Sequence, residues 1–262
     1  MMGKERRIGR IFKPDGKTLI VPMDHGVSVG PIEGIVDLRE TVKELVAGGA
    51  DAVLMHKGWA RSVDARGAGL IVHVSAGTST GTKPLHKYVV CSVLEALRLG
   101  ADAVSFHVNV GSETEDEQLE ALGAVSDECS AFGVPLVAMM YPRGPKVKSE
   151  HDPQSVAHAS RIGAELGADV VKTNYTGSVD SFKEVVRSCP VPVVIAGGPK
   201  TESVEGLLSM VRDSMLAGCR GVSIGRNVFQ HRSPRLMTAA MRKIVHEGSS
   251  VEEALSILGE GP

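Results

Sequence analysis

The sequence predicts an α/β protein folded as a single-domain (β/α)8 TIM barrel. Eight short apolar runs recur along the 262 residues, and amphipathic helical patterns separate most of them. Val, Ile and Ala dominate these runs with little polar alternation, which is typical of parallel strands covered on both faces. The triplet Gly-Ala-Asp, at 49–51, 100–102 and 167–169, repeatedly ends a helix and opens a strand. Strands and helices that alternate over this length favour the barrel.

Each predicted element has its own pattern in the sequence. The predicted strands are the apolar runs at 18–24, 52–57, 70–75, 103–110, 135–141, 170–174, 192–196 and 221–225. The predicted helices have apolar residues at helical spacing, at 38–47, 88–99, 117–131, 154–166, 181–187, 204–216 and 236–245. Asp37, Asp152 and Ser178 are suited to cap three of these helices. An additional helix is expected at 251–258.

The weakest part of the barrel prediction is the second crossover, at 59–69. It is about as short as a parallel connection can be, and it has no clear helical pattern. A seven-stranded doubly wound sheet is therefore the competing architecture, although we favour the barrel. No linker divides the chain, so we expect one domain over 1–262, with an N-terminal extension at 1–17 and a C-terminal helix and tail at 250–262.

The composition excludes several classes of function. A formal net charge of −2 gives no electrostatic reason to expect binding to nucleic acid or an anionic membrane. No apolar run has membrane-spanning length, and residues 1–10 lack the apolar region of a signal peptide. The four cysteines are far apart and are expected to be reduced in a cytoplasmic protein; they are Cys91, Cys129, Cys189 and Cys219.

Lys172 is the residue that most strongly indicates chemistry. It lies inside a predicted buried strand, where lost hydration disfavours the ammonium and lowers its pKa. A neutral amine near pH 7 can attack a carbonyl and form a Schiff base. The alternative is a lysine at a frayed strand end that reaches into solvent. Lys57 and Lys200 adjoin glycine or proline, and we expect both to reach solvent.

Other reactive residue types follow predicted strands, where barrel enzymes place their active sites. Tyr141 ends the fifth strand and could exchange a proton with a substrate hydroxyl, or it could simply fill the barrel mouth. Asp24 ends the first strand and could face a cationic amine or cap backbone amides. His25 is expected to point to the opposite side as a supporting residue. Arg143 could bind phosphate or carboxylate, or form a surface ion pair.

Glycines follow the last two predicted strands, where barrels often bind phosphate. Gly197 and Gly198 come after the seventh strand, and Gly225 and Arg226 after the eighth. Glycine lets the backbone approach an anion closely, and the guanidinium of Arg226 can donate two hydrogen bonds to phosphate oxygens. The alternative is two ordinary turns and a surface arginine.

The residues also allow hypotheses other than a Schiff-base enzyme. The chain has no Walker A pattern for phosphoryl transfer. His56, His73 and His107 lie at or near the ends of three strands, so a metal-dependent lyase is an alternative, although core packing also explains these histidines. A barrel that binds a phosphorylated metabolite without chemistry is a third hypothesis, but a binding protein has no need of a buried lysine.

Six motifs, in order, carry a resemblance to a known family. They are VPMDHGVS at 21–28, HVNVG at 107–111, AMMYPRG at 138–144, VKT at 171–173, AGGPK at 196–200 and GRNVFQH at 225–231. Together the motifs resemble the archaeal-type class I aldolase family, and the match extends roughly from residue 10 to residue 258.

The resemblance implies a Schiff-base mechanism without a metal or cofactor. Lys172 matches the family's imine-forming lysine and Tyr141 its proton donor. Asp24 is predicted as a third catalytic residue from its position, because it can move a proton and stabilise a cationic intermediate. The implied substrate contacts are Asp24, His25, Gly26, Val27, Ser28, Tyr141, Pro142, Arg143, Lys172, Gly197, Gly198, Gly225 and Arg226. Family members form homo-oligomers, often decamers of two stacked rings.

The resemblance also implies the substrates: a phosphorylated ketose and an aldehyde acceptor. In the synthase branch, 6-deoxy-5-ketofructose 1-phosphate is cleaved and a three-carbon fragment is transferred to L-aspartate semialdehyde, on a route to 3-dehydroquinate and aromatic amino acids. The alternatives are an aldolase of secondary metabolism that joins dihydroxyacetone phosphate to aspartate semialdehyde, and a fructose-bisphosphate aldolase. The residues Val27-Ser28-Val29 favour the synthase branch, because the bisphosphate aldolases tend to have an acidic residue and then histidine there.

Overall fold

The computed structural model describes residues 2–201 and 203–259, and eight parallel strands close into a barrel as predicted. The competing doubly wound sheet is therefore wrong. Each strand pairs with its sequence neighbours, and the first pairs with the last. The barrel strands are β1 (Thr18–Pro22), β2 (Ala52–His56), β3 (Gly69–His73), β4 (Ala103–Val110), β5 (Leu136–Pro142), β6 (Val170–Asn174), β7 (Val193–Ala196) and β8 (Gly221–Ser223).

Helices connect the strands and cover the outside of the barrel. They are α1 (Met2–Ile11), α2 (His25–Val29), α3 (Leu38–Ala47), α4 (Lys57–Ala60), α5 (Val93–Arg98), α6 (Glu115–Phe132), α7 (Pro153–Glu165), α8 (Val179–Ser188), α9 (Val204–Leu216), α10 (Arg226–Phe229), α11 (Pro234–Arg242) and α12 (Val251–Leu258). A π-helical turn, Lys243–Glu247, continues α11. The side chains of Asp37, Asp152 and Ser178 accept backbone hydrogen bonds as the predicted caps. Met1 and the predicted tail residues 260–262 lie outside the described residues.

One predicted helix begins later than expected. The pattern at 88–99 predicts a helix throughout, but Tyr88–Val89 pairs with Ser75–Ala76 as a short antiparallel ribbon. α5 begins only after Ser92, whose hydroxyl accepts a hydrogen bond from the backbone N–H of Glu95 and so fixes the helix start. The β-branched residues before Ser92 suit a strand better than a helix. The uncertain second crossover contains only the four-residue α4.

The aspartates of the Gly-Ala-Asp triplets join neighbouring strands at the amino end of the barrel. Each aspartate precedes one strand and accepts a hydrogen bond from a backbone N–H in the strand before it. The pairs are Asp51 with Leu19 (2.7 Å), Asp102 with Leu70 (3.0 Å) and Asp169 with Leu136 (2.8 Å). The triplet therefore does more than end a helix: its carboxylate fixes the register between two strand starts.

α1 covers the amino end of the barrel. Lys4 lies 2.9 Å from Asp169 and Arg10 lies 2.7 Å from Asp102, so the triplet carboxylates also hold this helix. Ile11 and Phe12 pack against the apolar residues that fill the lower barrel interior. These residues are Ile20, Ala52, Leu54, Ile71, Ala103, Val137, Met139, Val170 and Val194. The interior is therefore closed at this end, and polar side chains gather at the other.

The four cysteines are free thiols and all are buried, as the sequence predicts. Burial raises the pKa of Cys91 to about 11 and that of Cys129 to about 12. These thiols are therefore protonated at neutral pH and act as core residues. Among the described residues, no helix is long and apolar enough to cross a membrane.

Candidate active site

A cavity of about 290 Å³ opens at the carboxyl end of the barrel. Ten of the residues predicted as substrate contacts line it. They are Asp24, His25, Ser28, Tyr141, Arg143, Lys172, Gly197, Gly198, Gly225 and Arg226. Gly26, Val27 and Pro142 do not line this cavity, which we call the central cavity. Gly26 and Val27 contribute instead to a smaller pocket beside α2.

Lys172 lies on the inner face of β6, where only 6% of it is exposed. Its register partners are Met139 on β5 and Val194 on β7, so it is flanked by strands on both sides. Burial lowers its pKa to about 8, while Asp24 opposes the shift and the nearby guanidinium groups add to it. A pKa of about 8 leaves roughly a tenth of the amines uncharged at pH 7.

Tyr141 shares the cavity with Lys172. It lies two residues beyond Met139 on β5, so its side chain is on the same inner face. The guanidinium of Arg143 lies 4.6 Å from the centre of its ring, and the ring of His107 meets it edge-on. Burial raises the pKa of Tyr141 well above its ordinary value, so the phenol keeps its proton at neutral pH.

Asp24 follows the end of β1 and has helical backbone dihedral angles, with φ −78° and ψ −1°. Nδ1 of His25 and Nε2 of His73 each lie 3.9 Å from one of its carboxylate oxygens. Burial alone would raise the pKa of Asp24, but the imidazoles of His73 and His25 and the amine of Lys172 together lower it below its ordinary value. Asp24 therefore stays ionised in the cavity that it shares with Lys172.

The structure corrects the expected orientation of His25. That expectation assumed that β1 continued through Asp24, but the strand ends at Pro22 and α2 begins at His25. Strand alternation therefore does not apply, and both side chains line the central cavity. The ring of His25 contacts Phe229 edge-on, with centroids 5.4 Å apart.

The three histidines considered as metal ligands form hydrogen bonds or ring contacts within the barrel. Nδ1 of His73 lies 2.7 Å from the hydroxyl of Ser105, and Nε2 of His107 lies 2.9 Å from Oδ1 of Asn109. His56 meets His73 edge-on. Burial lowers the pKa of each imidazole, that of His73 to about 3, so all three are neutral at pH 7. Within 2–201 and 203–259, no three His, Cys, Asp or Glu side chains form a group suited to a metal ion.

The two glycine loops lie side by side at the cavity wall. Asn227 joins them, because its amide donates to the carbonyl of Gly197 at 3.0 Å. A Cβ on Gly225 would lie 2.4 Å from the carbonyl oxygen of Pro22, so only glycine fits there. Nε of Arg226 is buried and has no hydrogen-bond partner among the described residues. The loops thus bring a desolvated guanidinium donor to the rim of the cavity.

Lys57 and Lys200 lie away from the central cavity. Lys57 Nζ pairs with Glu95 at 3.0 Å, and Lys200 Nζ donates to the carbonyl of Gln230 at 2.9 Å. Lys87 also lines the cavity but was not predicted, because it neither lies in a predicted strand nor directly follows one. Burial lowers the pKa of Lys87. Asn174 was also missed, although its position at the end of β6 could have identified it.

Comparisons with known proteins show which family the chain is similar to. The model of the DeoC/LacD family aldolases matches residues 18–231. The chain is 47% identical to a 2-amino-3,7-dideoxy-D-threo-hept-6-ulosonate synthase of Halobacterium salinarum, over 98% of this chain and 97% of the relative. It is 44% identical to a 2-amino-4,5-dihydroxy-6-oxo-7-(phosphonooxy)heptanoate synthase of Streptomyces griseus, over 93% of this chain and 90% of the relative.

A solved structure of an archaeal fructose-1,6-bisphosphate aldolase also matches, with a TM-score of 0.88 and 33% identity over 92% of this chain and 99% of that one. In that structure the catalytic lysine is covalently bound to the carbinolamine intermediate of the substrate.

Proposed function

Because this chain belongs to the DeoC/LacD family of aldolases, we propose that it forms a Schiff base through Lys172 and builds a seven-carbon 2-amino keto acid, acting as a 2-amino-3,7-dideoxy-D-threo-hept-6-ulosonate synthase. The observation that carries the proposal is the buried amine of Lys172, which lies in one cavity with the phenol of Tyr141 and the carboxylate of Asp24.

The first step is attack of the neutral amine of Lys172 on the donor ketone. Loss of water from the carbinolamine gives an imine, which carries a positive charge when protonated. Asp24 keeps a negative charge in the same cavity and therefore stabilises this cation. The low exposure of Lys172 limits competing contact with bulk water.

The second step is cleavage of the C–C bond. The iminium withdraws the bonding electrons, and the proton leaves the hydroxyl on the departing carbon as that carbon becomes an aldehyde. Tyr141 and Asp24 are the groups proposed to move this proton. The enamine that stays on Lys172 then attacks the acceptor aldehyde, and the new alkoxide takes up a proton. Hydrolysis of the imine releases the product.

We assign phosphate binding to Gly197, Gly198, Gly225 and Arg226. Support comes from the buried, unpartnered Nε of Arg226 in the described structure and from the close approach that Gly225 allows. Arg143 and Lys87 add positive charge to the same cavity. Binding energy from the phosphate then positions the ketone carbon near the amine of Lys172.

The names of the two relatives indicate two possible products, and the second product defines a second candidate function. Both synthases are named for a 2-amino acid with a ketone at C6. One product is deoxygenated at C7, whereas the other carries a phosphonooxy group there. The donor 6-deoxy-5-ketofructose 1-phosphate and the acceptor L-aspartate semialdehyde give the first product. Dihydroxyacetone phosphate with the same acceptor gives the second.

The experiment that tests the proposal combines trapping with product analysis. Wild-type protein with the donor and borohydride should gain the mass of the reduced adduct at Lys172, in a tryptic digest. Turnover with an unmodified Lys172 would contradict it. Each donor is also supplied with aspartate semialdehyde, and the product mass shows whether C7 carries phosphate. Full activity in excess EDTA is expected, and loss of activity would favour the metal-dependent lyase.

We also propose that the chain works as a cytoplasmic homo-oligomer, with a decamer as the form that the family resemblance implies. Exposed apolar side chains around the short ribbon support self-association; they are Tyr88, Val89, Val90 and Leu94. Light scattering of the purified protein measures the mass directly, and a monomer would contradict the proposal.

A further inference from the structure

A second cavity, of about 470 Å³, lies beside the central cavity. We call it the side cavity; it is lined by residues within 82–86, 113–114 and 143–150. These segments follow the carboxyl ends of β3, β4 and β5, so both cavities lie at the same end of the barrel. Arg143 lines both of them. Arg143 is therefore the side chain at which the two cavities adjoin.

The walls of the side cavity are fixed by the surrounding structure. Gly111 and Gly144 pack so closely that a Cβ on Gly144 would overlap the carbonyl of Gly111. Asn109 accepts a hydrogen bond within the barrel from His107 and donates another, 2.6 Å long, to the carbonyl of Leu85. The loop that forms the outer wall is thus held to the strand that carries His107, and the cavity is preformed.

The charged groups of the side cavity have both signs. Arg143 Nε lies 2.7 Å from a carboxylate oxygen of Glu150. Glu113 also lines the cavity, and its carboxylate has no ion pair or hydrogen bond within the described residues. Lys83 provides a second cation, 3.9 Å from Glu117. The cavity therefore offers separate partners for an anionic and a cationic group of one small molecule.

His86 forms a buried part of the wall of the side cavity and is 5% exposed. Its Nδ1 has no hydrogen-bond partner among the described residues, and the nearest carboxylate oxygen, of Glu117, is 3.6 Å away. This nitrogen has almost no accessible surface, so His86 forms part of the wall and does not itself contact a molecule in the cavity.

From this arrangement we infer that the side cavity binds the α-amino-acid end of the acceptor aldehyde. The ammonium group lies against Glu113 and Glu150, and the carboxylate group lies against Arg143 and Lys83. The aldehyde carbon then extends past Arg143 toward Tyr141 and Lys172. This inference rests on the proposed function and deepens it, because it names the residues that would select an amino-acid acceptor.

The test compares two acceptors that differ only in the amino group. Aspartate semialdehyde has the amino group, and succinic semialdehyde lacks it. The measured quantity is the ratio of kcat/KM for these two aldehydes, with 6-deoxy-5-ketofructose 1-phosphate as donor. We expect Glu113→Gln and Glu150→Gln each to lower this ratio about tenfold, since a charge-assisted hydrogen bond to the ammonium is lost.

A matched control removes an arginine–glutamate pair elsewhere. Glu184 pairs with Arg187 on the exposed face of α8, and it lines neither cavity. Glu184→Gln should leave the ratio unchanged. Glu113→Gln breaks no ion pair or hydrogen bond in the described structure, so its effect cannot come from a lost ion pair. An unchanged ratio in both cavity variants, or an equal loss for both aldehydes, would overturn the inference.

Failure of this inference is distinguishable from failure of the proposed function. Borohydride trapping of the donor on wild-type Lys172 needs no acceptor and tests the Schiff base alone. If trapping succeeds but the cavity variants leave the ratio of kcat/KM for the two aldehydes unchanged, only the inference about the side cavity is wrong. If no adduct forms on Lys172 during turnover, the proposed function is wrong, and the inference about the side cavity loses its basis as well.

Discussion

The ring of His107 stands edge-on to the ring of Tyr141, with centroids 4.9 Å apart and an angle of 73° between the planes. Nε2 of His107 forms a hydrogen bond with Oδ1 of Asn109. Burial lowers the pKa of the imidazole, which is therefore neutral at pH 7. The phenol is therefore oriented by an uncharged ring on one side and by the guanidinium of Arg143 on another. This arrangement holds a protonated hydroxyl at the carboxyl end of the barrel, where the proposed bond cleavage needs one.

Tyr141→Phe tests this role. The variant keeps the ring that contacts His107 and Arg143 but removes the hydroxyl. We expect kcat to fall roughly 10²- to 10⁴-fold, which is the range for loss of a general acid or base. Circular dichroism and thermal melting serve as the control for folding. A variant that turns over at the wild-type rate would remove Tyr141 from the mechanism.

The pH dependence of activity follows from the lowered pKa of Lys172. The neutral amine is the nucleophile, so kcat/KM should rise with pH and level off above about 8. Asp24 is already ionised across this range because its pKa is lowered, and Tyr141 stays protonated because its pKa is raised. Measurements between pH 6.5 and 9.5 avoid most of the ionisation of the substrate phosphate, whose second pKa is about 6. A profile without a rise toward pH 8 would contradict the assignment.

Lys172→Met should abolish turnover and borohydride trapping, and it should also stabilise the protein at pH 7. Folding lowers the pKa of this amine from 10.5 to about 8. Below pH 8 the folded state must hold a disfavoured ammonium, at a cost of up to about 3 kcal/mol.

Between pH 8 and 10.5 the unfolded chain binds more protons at this site than the folded one does, so wild-type stability rises with pH relative to the variant. Urea unfolding of both proteins at pH 7 and pH 10 measures the difference. A variant less stable than wild type at pH 7 would contradict the prediction.

Arg226→Ala tests the phosphate assignment. Loss of the guanidinium should lower kcat/KM for the phosphorylated donor by one to two orders of magnitude, since charge-assisted hydrogen bonds are worth about 1.5–3 kcal/mol. The comparison is a dephosphorylated donor, for which the loss should be much smaller. Arg187→Ala, an exposed arginine of α8, is the matched control. Equal losses for the two donors would show that Arg226 does not contact the phosphate.

The triplet carboxylates allow a prediction about stability. Asp102 is buried and accepts the N–H of Leu70, whereas Arg10, its partner in the ion pair, is largely exposed. Asp102→Ala leaves that N–H without its acceptor and should lower the free energy of unfolding by about 1–3 kcal/mol. Arg10→Ala should cost clearly less than Asp102→Ala, because solvent screens an exposed ion pair. Urea unfolding of the two single variants measures both losses in the free energy of unfolding. A larger loss for Arg10→Ala than for Asp102→Ala would contradict the prediction.

Much of the fold is predictable from the sequence because its signals are local. Val-rich runs and helix caps depend on neighbouring residues, and all eight strands appear where the apolar runs predict them. The helix at 88–99 was only partly correct, since the pairing of Tyr88–Val89 with Ser75–Ala76 depends on contacts across a loop. The expected side for His25 was wrong because the end of β1 is set by the turn at Asp24.

The candidate site was predictable where a residue lies within a strand or directly follows it. Lys172 and Tyr141 satisfy this condition, and barrel geometry then brings their strands together. Lys87 does not satisfy it, because a loop carries it over the barrel mouth. The side cavity was also unpredictable, since it forms between three loops whose contact depends on the close packing of Gly111 and Gly144.

The apolar filling of the lower barrel and the cover that α1 places beneath it leave substrates and water a shared route to Lys172, through the loops at the carboxyl end. An acceptor seated in those loops obstructs the same passage that a hydrolytic water must use. The enamine would then meet an aldehyde before the imine meets water. The ratio of transfer to hydrolysis therefore depends on how long the acceptor stays bound in these loops.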